Sequence, residues 1–342
     1  KKKSGYSRHL GDSGIDDALV FPDRLSEDIV ICISSIYCKL AKPARARKGN
    51  SVSPSSSFCS SSTLSPRNLS GSWSPQCSDE VTEICASEGR PCSAMVEVTE
   101  ICLNDETYNY AATMLRKFRS LVKSLAIVDL TKTSREQKLA FWINIHNALV
   151  MHSYLAYGTQ NYVKSTTTLK ATYNVGGHSV NAYDIQRYIL GIKSHYPAPW
   201  LQTLLSPGKK LKTESIKHAY AIEYPEPLVH FALCSGAYSD PAVRVYSAKS
   251  VFEDLKVAKE EFVQAMVHVH HKQRKVNLPK ILQYYAKDMS LGMGALLEVV
   301  GECLTGTQRD AIGKFVKGRP EKCVYWLEQS SSFRYLIHKR SS

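Results

Sequence analysis

Apolar residues fall along this chain in three kinds of run, and each predicts a different element. The first kind is a sparse stripe at helical spacing. Ile29, Ile33, Ile36, Tyr37 and Leu40 share one face of a helix over 25–40, with Ser26 placed to cap it and Glu27 and Asp28 suited to its positive end. A helix of that length is marginal alone in water, so the stripe is expected to dock on something. Leu115, Phe118, Val122 and Leu125 mark an amphipathic helix over 108–125. Val251, Leu255, Ala258, Phe262, Ala265 and Val269 mark another, opened by a capping box of Ser250 and Glu253. Shorter stripes predict helices over 278–287, 291–304 and 307–316.

The second kind is a run that is apolar in every direction. Between a Ser134/Gln137 capping box and a Gly158 stop, Leu139, Phe141, Trp142, Ile143, Ile145, Leu149, Val150 and Leu155 leave no polar face, which predicts a buried helix. The third kind is short. Residues 173–175 and 178–180 flank Gly176-Gly177 and predict a hairpin, after which Asn181 caps a short helix that Gly191 ends. Residues 228–234 have the length of a central strand, and 323–327 and 333–338 read as late strands. Helices cluster among few strands without βαβ alternation. The fold class is therefore α+β, mainly helical with a small mixed or antiparallel sheet, in one compact domain over 96–342.

Composition changes this picture mainly upstream. Thirteen of the 28 residues from Ser51 to Ser78 are serine, with Pro54, Pro66 and Pro75 among them, too little apolar surface to offset chain entropy. We expect a disordered tail over 1–24, the docking helix over 25–41 and a disordered serine-rich linker over 42–95. Ser53, Ser65 and Ser74 each precede proline and are candidates for proline-directed phosphorylation, and Lys42, Arg45, Arg47 and Lys48 form a weak nuclear-targeting signal. The five residues VTEIC occur at Val81 and again at Val98, too few copies for a repeat architecture. Lys1 to Lys3 lead into polar SGYSRHLGDSG rather than an apolar core, so secretion is not expected, and the chain reads as a fragment that begins downstream of its true start. No apolar run reaches the ~20 residues of a membrane span.

Charge is uneven. Residues 51–105 carry two basic and seven acidic side chains, whereas from Glu106 onward there are 32 basic and 18 acidic. A basic domain suits acidic partners, nucleic acid among them. Its clusters (Lys209, Lys210, Lys212 and Lys272, Arg274, Lys275) are short and lack interleaved aromatics, so nucleic acid is not favoured. The ten cysteines show no CxxC pair and no zinc spacing; reduced thiols in the nucleus or cytoplasm are the expectation, with no metal and no cofactor.

Two stretches could carry chemistry. FWINIHNALVMH sets Asn144, His146, Asn147 and His152 among large apolar side chains, where each must find a partner or face a pocket. Asn144 and Asn147 share a face, His146 points elsewhere, and ties from the asparagines to loop backbones are the favoured reading. VHFALCSGAYSDP offers His230 and Cys234 on one side of the expected strand, followed by a polar loop holding Ser235, Gly236, Ser239 and Asp240. Four strand residues would part the imidazole and thiol by about 13 Å, so a buried, inert Cys234 is favoured over a nucleophile. HVHH at the end of the long helix places His268 and His271 together without a carboxylate or thiol nearby; helix-end imidazoles on terminal carbonyls are the favoured reading.

REQKLAFWINIHNALVMHSYLAYG, TYNVGGHSVNAYDIQRYIL, EPLVHFALCSGAYSDPAVRVYSA and SSSFRYLIHK together resemble the plant branch of the domain of unknown function 547, and RLSEDIVICISSIYCKLA resembles the segment that precedes it. Plant members often carry an N-terminal leucine zipper of ternary complex factor-like type. The resemblance therefore implies an upstream coiled coil, absent here, and a homodimer formed through it. Many bacterial relatives have a second cysteine where this chain has Ser239. The expected function is a non-catalytic module for protein partners, without membrane insertion. The alternative is a hydrolase or transferase built on Asn144, Asn147, His146, His230, Cys234 and Ser239.

Overall fold

A computed structural model describes residues 21–42, 95–159, 170–195, 215–217, 219–330 and 332–339. The expected tail up to residue 20, most of the serine-rich linker with Ser53, Ser65 and Ser74, the lysines at 209–212 and the first VTEIC copy lie outside the described residues, while Pro22 to Arg24, expected in the tail, are helical.

The core is assembled around one helix. α1 runs Pro22–Leu40, β1 Met95–Val98, α2 Asp105–Ser124 and α3 Arg135–Tyr157. Fifteen residues of α3 are buried, from Leu139 to Tyr154, because α1, α2 and the segments after β3 cover it from several sides. The Ser134/Gln137 capping box and the Gly158 stop, at φ 89°, fix its two ends. α1 lays Ile29, Val30, Ile33 and Tyr37 onto this core, and the Tyr37 hydroxyl donates to the Met151 carbonyl at 2.8 Å. Ser26 is not its cap: the helix begins earlier, at Pro22, and Ser26 is fully buried within it, donating to the Asp23 carbonyl. A proline at the first helical position, where an N–H would have no partner, explains the earlier start.

β2 (Tyr173–Val175) and β3 (His178–Val180) form the expected hairpin, and α4 (Ala182–Asp184) continues into a π-turn over Ile185–Ile189. Residues 228–234 are not a strand. Pro227–Phe231 is a 3₁₀ turn, with the Glu226 carboxylate accepting from Leu228 N–H. Its apolar run reflects burial on all sides, which periodicity cannot distinguish from a central strand.

α5 (Val251–Met266) opens without the expected side-chain cap: Ser250 Oγ donates instead to Asp254 at 2.7 Å. The helix stops at Met266, so HVHH is not helical; β4 (His268–His270) pairs antiparallel with β5 (Lys275–Pro279), which pairs parallel with β6 (Val324–Leu327). Between them lie α6 (Lys280–Asp288), α7 (Met293–Cys303), α8 (Gly306–Val316) and the short α9 (Pro320–Cys323), enclosing a second apolar cluster around Leu282, Leu297 and Ile312. β7 (Tyr335–His338) returns to pair antiparallel with β1, with Val243 bridging its other edge. The result is a mainly helical α+β fold with small antiparallel and mixed sheets.

Candidate functional site

Asn144 and Asn147 are both fully buried on α3, and both amides are committed to backbone. Asn144 Nδ2 donates to the Tyr246 carbonyl at 2.7 Å and to Ser26 Oγ at 3.2 Å, while its Oδ1 accepts from Tyr246 N–H at 3.0 Å. Asn147 grips the chain after the 3₁₀ turn in the same way. Its Nδ2 donates to the Ala232 carbonyl at 2.8 Å and its Oδ1 accepts from Cys234 N–H at 3.0 Å. Each side chain satisfies a donor and an acceptor that have no secondary-structure partner of their own.

His146, also fully buried, belongs to the same network rather than pointing away from it. Asn147 Oδ1 can only accept, so His146 Nδ1, at 3.1 Å, carries the proton. His146 Nε2 then accepts from Gln186 Nε2 at 3.0 Å, and Gln186 Oε1 accepts from Ser194 Oγ and His195 N–H. Burial lowers the His146 pKa to about 4, opposed by the hydrogen bond to Asn147, so the ring is neutral at physiological pH.

A second line begins where that one ends. His195 Nε2 lies 2.8 Å from His230 Nδ1, and His230 Nε2 donates to Asp288 Oδ2 at 2.9 Å. Lys193 N–H donates to the same oxygen at 2.7 Å. Because the carboxylate fixes the proton on His230 Nε2, neutral His230 accepts from His195. The rings stack, with centroids 5.0 Å apart, and Tyr284 stacks on His195 at 5.1 Å. Burial pulls both histidines below the usual imidazole range, for His230 against the opposing pull of Asp288. Burial would raise Asp288, but hydrogen bonds from His230 and Lys193 N–H outweigh it and hold the carboxyl below its ordinary value. His195 and Asp288 carry no local signature in the sequence; for Gln186 the one mark available is a polar side chain set among Ile185, Ile189 and Leu190.

Cys234 takes no part in this line. Its thiol is fully buried, lies 3.3 Å from the Pro241 carbonyl, and is pushed well above its ordinary pKa by burial and then by Asp240. That is the opposite of an activated nucleophile. Beyond it, buried Asp240 gathers the turn by accepting from Ser235 N–H, Ser235 Oγ and Ala237 N–H, at 2.6 to 2.9 Å. Burial raises its pKa to about 6 against those bonds. Gly236, at φ 78°, admits the Tyr154 ring, which would lie 2.4 Å from any Cβ there. Ser239 Oγ accepts from Ser330 N–H at 3.2 Å and joins neither histidine line. The structure thus connects Asn147, His146 and His230 through Gln186 and His195, and leaves Asn144 and Ser239 on separate backbone contacts.

His268 and His270 are exposed strand residues, not helix-end imidazoles. Among the described residues no group of His, Cys, Asp or Glu side chains is arranged to hold a metal ion, and no helix is long and apolar enough to cross a membrane. An open groove of about 470 Å³ lies elsewhere, between α1, α2, the 243–245 segment and β7. Its walls include Ile31, Cys38 and Tyr110, with the basic side chains Lys39, Arg244 and Lys339, of which Arg244 pairs with Glu261.

Residues 130–263 match the family model described as "Protein of unknown function, DUF547", which supports that family and spans α3, the hairpin, the 3₁₀ turn and most of α5. No curated protein and no solved structure matches the chain.

Proposed function

We propose that this chain is a non-catalytic protein-interaction module of the nucleus or cytoplasm, of the plant branch of its family. The observation that carries this reading is the internal commitment of the groups that chemistry would need. Asn144 and Asn147 hold backbone, the Cys234 thiol meets carbonyls rather than an imidazole, and Ser239 holds Ser330 N–H. The basic groove between α1 and β7 supplies a surface of the kind a partner uses, with exposed Tyr108, Tyr110 and Leu103 on or just before α2. Phosphorylation at Ser53, Ser65 or Ser74, and dimerisation through an upstream coiled coil, would act on such a module from outside the described residues.

A hydrolase or transferase remains the second reading, favoured by one observation: the Asp288–His230–His195 line has the order of an orienting carboxylate and two imidazoles. The two readings separate in a turnover screen. Wild type and His230→Gln, both confirmed folded by circular dichroism, are assayed on panels of activated esters, amides and phosphoesters. We expect no turnover that depends on His230. Turnover lost in the folded variant would replace the module by the enzyme.

A further inference from the structure

EVTEIC occurs twice, at 80–85 and at 97–102. The second copy has a defined slot. Its strand lies antiparallel on β7, with Glu97 opposite Leu336 and Val98 opposite Tyr335. Glu97 pairs with Arg334 at 3.4 Å, and Val98 is 1% exposed in the main core. Glu100 pairs with Lys42 at 2.8 Å, Ile101 bridges Ala41, and Cys102 N–H donates to the Leu40 carbonyl at 2.9 Å. The slot therefore reads four side chains, Glu-Val-x-Glu-Ile, and one backbone amide, all from β7, Arg334 and the end of α1.

Every one of those features has an identical counterpart in the first copy: Glu80, Val81, Glu83, Ile84 and the amide of Cys85. We propose that the slot formed by β7, Arg334 and the end of α1 is a strand-acceptor surface, and that residues 80–85 are its second occupant, entering in place of 97–102. Strand addition to a sheet edge needs only backbone pairing and pockets for alternate side chains, and here the pockets already fit. The connections allow it. Closing a loop costs only the logarithm of its length, so shortening the long link from α1 by 17 residues alters little, whereas lengthening the two-residue link to α2 by 17 adds about three doublings and weighs toward the second copy at rest.

The flanks decide which copy is seated at rest. Ahead of the second copy stands Val96, half-buried, packed on the main core and opposite Ile337; ahead of the first stands Asp79. A carboxylate against Ile337 disfavours the first copy, so 97–102 holds the slot and 80–85 takes it when the second is withdrawn. Exchange releases the segment before α2, which carries the exposed Leu103 on the approach to the α2 face.

The test uses the full chain in urea unfolding. Val98→Asp puts a charge into the buried position and forces the exchange; Val81→Asp blocks the replacement. We expect Val81→Asp alone to leave the midpoint unchanged, and Val98→Asp to lower it by less than half the drop of the Val81→Asp/Val98→Asp double variant. Equal drops for Val98→Asp and the double variant, including failure of both to fold, would overturn the proposal. Directly opposed strand residues lie within disulfide reach, so Glu80→Cys/Leu336→Cys in the Val98→Asp background gives a second readout. Peptide mapping is expected to find these two positions linked under mild oxidation; their absence from every linked peptide would also overturn it.

Discussion

Asn147 of α3 spends its side-chain amide on the Ala232 carbonyl and the Cys234 N–H. Its truncation to alanine leaves the Ala232 carbonyl, the Cys234 N–H and His146 Nδ1–H without their partner. Each orphaned buried group costs about 1–3 kcal/mol, so Asn147→Ala is expected to lose at least ~3 kcal/mol in urea unfolding. A loss below ~1 kcal/mol would show that the clamp is unimportant. His146 gives a pH prediction. Its folded pKa, about 4, lies below the unfolded value of 6.5, so the unfolded chain binds the extra proton as pH falls between them. Stability is then lost on acidification through that window, with a slope of up to ~1.4 kcal/mol per pH unit. Asp240 acts with the opposite sign. Its folded pKa, about 6, exceeds the unfolded 3.8, so protonation favours the folded state between them and offsets part of the loss. His146→Gln, which can keep an amide contact to Asn147, is expected to flatten the acid limb of stability between pH 4 and 6.5. An unchanged slope would contradict the neutral buried ring. Among the described cysteines, Cys102 is exposed and Cys234 buried, so iodoacetamide is expected to label the first in the native state and the second only on unfolding.

Elements were legible where the signal was local. α2, α3, α5 and the β2–β3 hairpin follow from a stripe, an all-round apolar run, caps and a glycine pair, because each is fixed by neighbours within a few residues. The 227–231 turn was misread since a fully buried segment looks the same whether extended or coiled, and Pro227 with Glu226 before it is its only local mark. HVHH was misread because its stripe continues past Val267, where the chain turns extended to meet β5. The histidine line could not be read at all: His195, His230 and Asp288 come from three elements and meet only through tertiary packing. The helix before the serine-rich stretch has consequences of its own. Ile33 of α1 is fully buried in the main core, so Ile33→Ala is expected to cost about 2–5 kcal/mol in chemical denaturation. A cost near zero would mean that α1 rests on the core without completing it.

At the scale of the molecule, the polar side chains of α3 and the 232–246 segment bind the interior together, and among the described residues the groove beside α1 is an open surface. The groove is basic like the part of the chain from Glu106 onward, which suits an acidic protein partner. Lys39 and Tyr110 stand at its mouth, with the ammonium 5.9 Å from the ring centroid, and both side chains are exposed enough to be changed without disturbing the core. The most direct measurement is quantitative affinity capture with the full chain, comparing wild type with a Lys39→Glu/Tyr110→Ser variant of matched thermal stability. A discrete set of proteins is expected to be retained by wild type and depleted at least about fivefold by the variant, a loss of roughly 1 kcal/mol in binding. An identical set captured by both chains, or none by either, would contradict the reading of this molecule as an interaction module working through that face.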